Sequence, residues 1–315
     1  MEDRRPILVT GGHRSGTGWV GQVLASSPRI AYLWEPFSVR HRPGILDAEF
    51  PYWFPYVTAE NDGHVKPAVA DMLAFRYKPM AELRAARAPR DLARLARDWS
   101  RFRRYRRRGA RPLLKDPIAI FSAEWLAGTF DMRVLVLIRH PAAFAYSLKR
   151  LGWRHPFDHF LKQPALMKDV LAPFEGEIKA FAREERSVLD QAILLWNVIH
   201  HAIRRHRERH PEWLFLRLED IAADPLASFR TICERFGVRE WEAVSRAAAV
   251  TSRSGPAEGN RPWDVRRDSR ASAARWRSRL SPEELERIRT GVSSVAADFY
   301  ADRDWDLERP ATASE

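Results

Sequence analysis

"PILVTGGHRSGTGWVGQVLASS", residues 6–27, reads as a strand, a glycine turn and a helix. Small and hydroxylated residues fill the turn, where backbone amides can close around a phosphate. A helix N-terminus carries free N–H groups and about half a positive charge, so it binds an anion readily. A nucleoside-triphosphate loop ends in Gly-Lys-Ser or Gly-Lys-Thr. Here Thr17 follows Gly16, and the loop's only cation, Arg14, precedes that glycine by two residues. A kinase or NTPase also needs acidic ligands for Mg²⁺, and no strand ends in a Walker-B-like aspartate. The loop therefore suits one phosphate held without a metal. Taken alone, it could equally be plain turn punctuation.

Outward from this loop, apolar runs alternate with helical patterns. "RIAYLW" (29–34) is a second strand ending at Glu35-Pro36. "RPLLKDP" (111–117) is a third, followed by a helix, "AIFSAEWLAGTF". "MRVLVLIRHP" (132–141) has the continuous apolarity of a strand buried on both faces. A helix over 142–150 follows, then a long one with Val188, Ala192, Leu195, Ile199 and Ala202 on one face. "WLFLRLEDI" (213–221) is the next strand. "DPLASFRTICERFG" has an Asp cap, a first-turn proline and a closing glycine. A loop over 251–269 and a largely helical tail over 271–300 end the pattern. Residues 38–80, rich in proline and aromatics, read as irregular lining. The expected fold is α/β: a P-loop-type doubly wound parallel sheet flanked by helices, with a helical and irregular insertion. Ligands should lie beyond the carboxyl ends of the strands, which carry Gly11–Gly18, Glu35, Lys115 and Arg139.

The chain has 315 residues, 45% of them hydrophobic, enough for one large domain or two smaller ones. No signal peptide and no membrane-length apolar run is expected. A single cysteine, Cys233, suits a reducing compartment, and no metal-ligand spacing is visible, so a cytoplasmic, metal-free protein is expected. The net charge of +12 is local: twelve arginines against Asp91 and Asp98 over residues 84–111 supply +10 of it. Leu92, Leu95, Trp99 and Phe102 recur at helical spacing there, so the segment is expected to be an amphipathic helix with its aromatics turned inward. Its basic face is by default solvated, with an acidic acceptor or an anionic membrane surface as the next alternatives.

"LIRHPAAFAYSLKR" adds a second anion signal. Arg139 ends a buried strand and Ser147 comes eight residues later, so a guanidinium fork and a hydroxyl could hold a further phosphate. The bland alternative is a strand-end arginine paired with a surface carboxylate.

Together, "HRSGTGW" and "RHPAAFAYS" resemble the 5′- and 3′-phosphate motifs of sulfotransferases that use 3′-phosphoadenosine 5′-phosphosulfate (PAPS). "RLEDIAADPLASFRTICERFG" resembles the Arg-Tyr-Glu-Asp-Leu and Asp-Pro stretch of those enzymes. "KDP" (115–117) and Glu35 are similar to the pattern of protein-tyrosine sulfotransferases and related bacterial enzymes. The resemblance covers roughly residues 6–37, 112–151, 189–237 and 270–300 in order. Segments 38–111 and 152–185 match nothing and would be insertions in a single sulfotransferase domain spanning 1–315.

The resemblance implies a role for each motif residue. Gly12, His13, Arg14, Ser15, Gly16, Thr17, Gly18 and Trp19 would surround the 5′-phosphate; Arg139 and Ser147, with Arg275 in "AARW", would reach the 3′-phosphate. Arg14 would stabilise charge building on the bridging oxygen as sulfur leaves, and Lys115 would be a second cation. Glu35 would take the acceptor proton; its plain alternative is local pairing before Pro36. Three departures stand out: Gly18 in place of threonine or serine, Leu218 in place of tyrosine, and no Lys-x-His after the third strand. The last removes the histidine base of cytosolic relatives and adds weight to Glu35. The expected acceptor is a hydroxyl-bearing glycan or small metabolite. The alternatives are a P-loop kinase, opposed by the missing loop lysine, and nucleic-acid binding through the arginine-rich segment, which is not expected.

Overall fold

The computed structural model describes residues 3–253 and 274–306. Five parallel strands, β1 (Ile7–Gly11), β2 (Ile30–Trp34), β3 (Arg111–Lys115), β4 (Arg133–Ile138) and β5 (Leu214–Arg217), lie in the order β2-β3-β1-β4-β5. Ile7 at the start of β1 stands opposite Leu113 and Arg133, so β1 is the central strand. The chain steps from β1 to one side of the sheet and later to the other. That is the doubly wound arrangement, whose crevice opens at the carboxyl end of β1.

The helices are α1 (Thr17–Leu24), α2 (Val65–Leu73), α3 (Pro79–Ala85), α4 (Pro89–Arg107), α5 (Ala123–Phe130), α6 (Pro141–Leu151), α7 (Asp158–Leu161), α8 (Pro164–Leu166), α9 (Glu175–Arg183), α10 (Val188–Arg209), α11 (Leu218–Ala223), α12 (Pro225–Phe236), α13 (Trp241–Arg253) and α14 (Pro282–Ala296). Alternation along the strands feeds both faces of the sheet. Ile7, Val9, Leu135 and Leu137 pack with Val20, Leu24, Phe229 and Val244 from α1, α12 and α13. Leu8, Leu114, Val134 and Val136 pack with Phe144, Leu195 and Ile199 from α6 and α10. Each such side chain taken out of water contributes roughly 1.5–3 kcal/mol, so the central strands are rigid supports for whatever their ends carry.

Several elements differ from the sequence expectation. The fifth strand stops at Arg217, and Leu218–Ala223 is helical. Half-buried Glu219 accepts from the His140 backbone N–H at 3.0 Å and from the Tyr300 hydroxyl at 3.0 Å, which turns the chain away from the sheet. The helix expected after β3 begins as a 3₁₀ turn, Pro117–Ser122. Residues 38–80 are not irregular throughout: α2 buries Val65, Ala68, Val69 and Met72. The tail is broken rather than continuous, with a 3₁₀ turn at Arg275–Ser278 and a Ser281–Glu284 capping box that starts α14. Most of the loop expected over 251–269 lies outside the described residues.

Helix α4 forms as expected but is rotated about its axis. Phe102 is fully buried, its ring 5.4 Å from Tyr77 and 6.0 Å from Phe75, whereas Leu92 and Trp99 are 49% and 44% exposed. The buried face is set by Asp98, which is 1% exposed and paired with the guanidinium of Arg42. Arg42 also pairs with the buried Glu82 of α3. A carboxylate taken out of water needs its cation, and meeting that need turns Trp99 outward.

Candidate active site

Four strand ends and the helices after them wall one cavity of about 660 Å³. It brings together His13, Arg14, Gly16, Thr17, Gly18, Trp19, Glu35, Lys115, Arg139, Ser147 and Arg275. Gly12 and Ser15 do not line it; they form the underside of the loop, where a Cβ on Gly12 would stand 3.0 Å from Ser15 Oγ. Two glycines let the loop close. Gly11 has φ +131°, and a Cβ there would lie 2.1 Å from the Leu137 carbonyl oxygen; Gly16 has φ +84° and would meet Leu218 at 2.4 Å. Leu218, in the position expected of a tyrosine, thus packs on the loop while also lining the cavity.

Arg14 has a positive φ of 66°, a conformation that costs a residue with a Cβ about 1–2 kcal/mol. Tertiary bonds hold it there. The Arg139 guanidinium donates to the Arg14 carbonyl, the Ser15 N–H donates to the Gly12 carbonyl at 3.2 Å, and Arg14 Nε donates to Ser147 Oγ at 3.1 Å. The two anion motifs, far apart in sequence, are therefore bonded to each other. Arg139 is fixed in turn through its carbonyl, which accepts from Trp196 Nε1 at 2.9 Å. Trp196 and Trp276 are core residues.

No side chain caps α1 at Gly16, and Ser15 Oγ is buried without a hydrogen-bond partner among the described residues. A buried hydroxyl left unpaired costs about 1–3 kcal/mol, and the uncapped N–H groups of α1 are open to an anion seated at the loop. Trp19 lines the cavity, and its side chain also has a bracing role. Its indole N–H donates to Thr251 Oγ1 at 2.9 Å and its ring meets Phe229 edge-on, so its side chain braces α1 against α12 and α13. His13 is enclosed by Phe54, Phe144 and Trp153. Burial, followed by the charge of Arg14, brings its pKa down to about 3, so it is a neutral ring and a poor proton acceptor near neutral pH.

The carboxylate side of the cavity is built on the "KDP" turn. Lys115 Nζ pairs with the Glu35 carboxylate; Lys115 is 5% exposed. Glu35 also takes a positive φ, 44°, and its N–H donates to the Lys115 carbonyl at 2.9 Å. Asp116 does not face the cavity. Fully buried, it accepts from the Phe37 N–H at 2.7 Å and the Ile118 N–H at 2.9 Å, and its carbonyl accepts from Thr10 Oγ1 at 2.8 Å. Burial, reinforced by the Glu35 charge, pushes its pKa up to about 7. One residue thus ties the ends of β1 and β3 to the turn bearing Glu35.

Sequence reasoning marked the aromatic segment holding Trp53 and Phe54 as lining but missed Trp34, Tyr146 and Trp153. Trp34, Trp53, Phe54, Tyr146 and Trp153 line the cavity, with Arg40, Arg150 and Arg154. Trp34 and Trp153 are 60% and 40% exposed, and each lies beside a site cation, Lys115 Nζ at 5.9 Å and the Arg14 guanidinium at 5.6 Å from the ring centres. Among the described residues, no group of His, Cys, Asp or Glu side chains could hold a metal ion, and no helix is long and apolar enough to cross a membrane.

A five-stranded parallel sheet with an uncapped glycine loop at its central strand defines a P-loop-type α/β fold. Residues 6–243 match the Sulfotransferase family, and the chain belongs to that family. It is a transferase of the sulfotransferase type. No curated protein matches the sequence. Among solved structures, the chain is similar to the sulfotransferase domain from the curacin biosynthetic pathway, at 14% identity over 93% of this chain and 99% of that one, TM-score 0.47. It is also similar to sulfotransferase STF9 from Mycobacterium avium, at 15% identity over 96% and 78%, TM-score 0.45. A third is mouse sulfotransferase SULT7A1 complexed with PAP, at 12% identity over 97% and 89%, TM-score 0.47.

Proposed function

We propose that this chain moves a sulfuryl group from PAPS to a hydroxyl of a carbohydrate or other small metabolite, without a metal. The observation that carries this is the Arg14–Ser147 hydrogen bond, which sets two anion-binding motifs side by side across the cavity from a carboxylate. PAPS supplies the sulfuryl group and, as adenosine 3′,5′-bisphosphate, the leaving group. The α1 amides with Ser15 and Thr17 hold the 5′-phosphate. Arg139, Ser147 and Arg275 hold the 3′-phosphate that ATP lacks.

Glu35 accepts the proton of the acceptor hydroxyl as its oxygen bonds to sulfur and the bond from sulfur to the phosphate oxygen breaks. Arg14 neutralises the charge left on that oxygen. Lys115 exchanges one anion for another: paired with Glu35 beforehand, it turns to the sulfuryl oxygens and leaves Glu35 free to act as base. Trp34, Trp53 and Trp153 supply flat apolar faces on which a sugar or other ring can stack. The whole chain serves as one sulfotransferase domain, with insertions 38–111 and 152–185 shaping the acceptor side. Cys233, buried and unpaired, suits a reducing, cytoplasmic setting.

The test is incubation with isotopically labelled PAPS and a panel of sugars, phenols and alcohols, read by mass spectrometry for a sulfo adduct. Adducts with labelled sulfate on a hydroxyl are expected. Mg²⁺-dependent ATP turnover with no adduct would overturn the assignment.

A further inference from the structure

The arginine-rich helix takes no part in the cavity, yet its outer face has a definite composition. Leu92, Ala96, Trp99, Arg103 and Arg106 follow one another at spacings of four and three, so they form a single stripe along α4, and all are exposed. The Arg103 guanidinium lies 5.7 Å from the Trp99 ring centre. The neighbouring α3 exposes Met80 and Leu83 at 59% and 47%, beside Arg84 and Arg87.

Both acids of the segment are already engaged, Asp91 with Arg94 and Asp98 with Arg97 and Arg101. Asp98 is buried against Arg42, and Asp91 caps α4 by accepting from the Arg87 and Ala88 N–H groups. Among the described residues, Arg90, Arg103, Arg104, Arg106 and Arg107 pair with no carboxylate. The face therefore carries uncompensated positive charge, with an aliphatic and an indole in its midst. Phe102 and the Asp98–Arg42–Glu82 cluster hold the helix to the body, so the face is presented without any need to fold on contact.

We propose that the outer face of α3 and α4 docks the protein on the surface of an anionic lipid bilayer, with α4 in the interfacial plane. Arginines flanking a Leu–Trp stripe match both parts of such a surface: phosphate headgroups for the guanidiniums, the headgroup–acyl boundary for Trp99 and Leu92. A nucleic-acid backbone has no use for Met80, Leu83 and Leu92, so it is the less fitting partner. The inference is independent of the proposed sulfuryl transfer.

The full-length protein is tested by co-sedimentation with vesicles of pure phosphatidylcholine or of phosphatidylcholine containing phosphatidylglycerol. Binding is expected only to the anionic vesicles and should fall steeply with salt, since screening shortens to about 10 Å at 0.1 M. Arg103→Glu with Arg106→Glu should weaken partitioning by at least about 25-fold, at about fivefold per arginine lost. Trp99→Ala should weaken it by about tenfold. Arg183→Glu, an exposed change on α9, should leave it unaltered. Thermal unfolding of each variant verifies that it is folded. No binding to anionic vesicles at low salt would overturn the proposal. So would undiminished binding by the double variant, or retention on duplex DNA or RNA at salt concentrations that release the vesicles.

Discussion

Glu35→Gln isolates proton transfer from everything else Glu35 does. The substitution keeps the side chain's length on a turn whose backbone is already held at φ 44°. It also keeps an oxygen that can accept from Lys115. Breaking a fully buried ion pair costs about 3–5 kcal/mol. The Glu35 side chain, however, is 24% exposed and the glutamine amide replaces part of the contact, which brings the cost to about 1–2 kcal/mol. A domain stable by about 5–15 kcal/mol survives that loss. Loss of a general base removes roughly two to four orders of magnitude in rate, about 3–5 kcal/mol of barrier. Affinity for adenosine 3′,5′-bisphosphate should hold or rise, because Lys115 no longer has a competing carboxylate. The assay pairs calorimetric titration of the bisphosphate with single-turnover sulfo transfer to an aliphatic alcohol and to an acidic phenol; the phenol, easier to ionise, should lose less. A misfolded variant would lose binding and turnover together. Near-full activity on the aliphatic acceptor would refute the assignment of Glu35 as base.

Arg139→Ala should erase most of the preference for the 3′,5′-bisphosphate over AMP, a loss of about ten- to a hundredfold in affinity for the former alone; equal binding of the two by the wild type would remove the assignment. Arg14→Ala should lower single-turnover rate by at least ~100-fold with a much smaller change in bisphosphate affinity, and recovery of the rate at saturating donor would reduce Arg14 to a clamp. Stability should fall as the protein is acidified below about pH 6.5. His13 and His200 both have pKa values brought down by burial to about 3, so the unfolded chain binds their protons first. Each contributes stability fully present above ~6.5 and lost at about 1.4 kcal/mol per pH unit below it. Asp116, raised to about 7, acts in the opposite sense and offsets one of them. Urea titrations between pH 7 and pH 4 measure the slope, and a flat profile would show that these imidazoles are not buried neutral.

The sheet was legible in the sequence because its central strands are buried on both faces, leaving runs such as Val134–Ile138 unbroken by a polar residue. The site motifs were legible for a related reason: strand ends point at the crevice, so Arg14, Glu35, Lys115 and Arg139 converge once strand order is known. What escaped was decided by partners distant in the chain. Helix α2 was obscured by Pro67 in its first turn, although Val65, Ala68, Val69 and Met72 have helical spacing. The end of β5 depends on Glu219 reaching His140 and Tyr300. The outward turn of Trp99 depends on Asp98 finding Arg42, fifty-six residues away. Trp34 and Trp153 come from a strand end and a loop far apart in the chain, so nothing local marks them as walls of the cavity that the 38–80 segment also lines.

Asp116 joins Thr10, Phe37 and Ile118, and two of those bonds span 106 and 79 residues of chain. Such contacts form only after the intervening loops have closed, the slow step for a parallel sheet. The turn carrying Glu35 therefore acquires its shape only once β1, β2 and β3 have come together. The placement of Glu35 opposite the glycine loop thus arrives all at once: a nascent chain, a truncated one or a partly melted one can hold the loop but not the turn to which the proposed function gives the base.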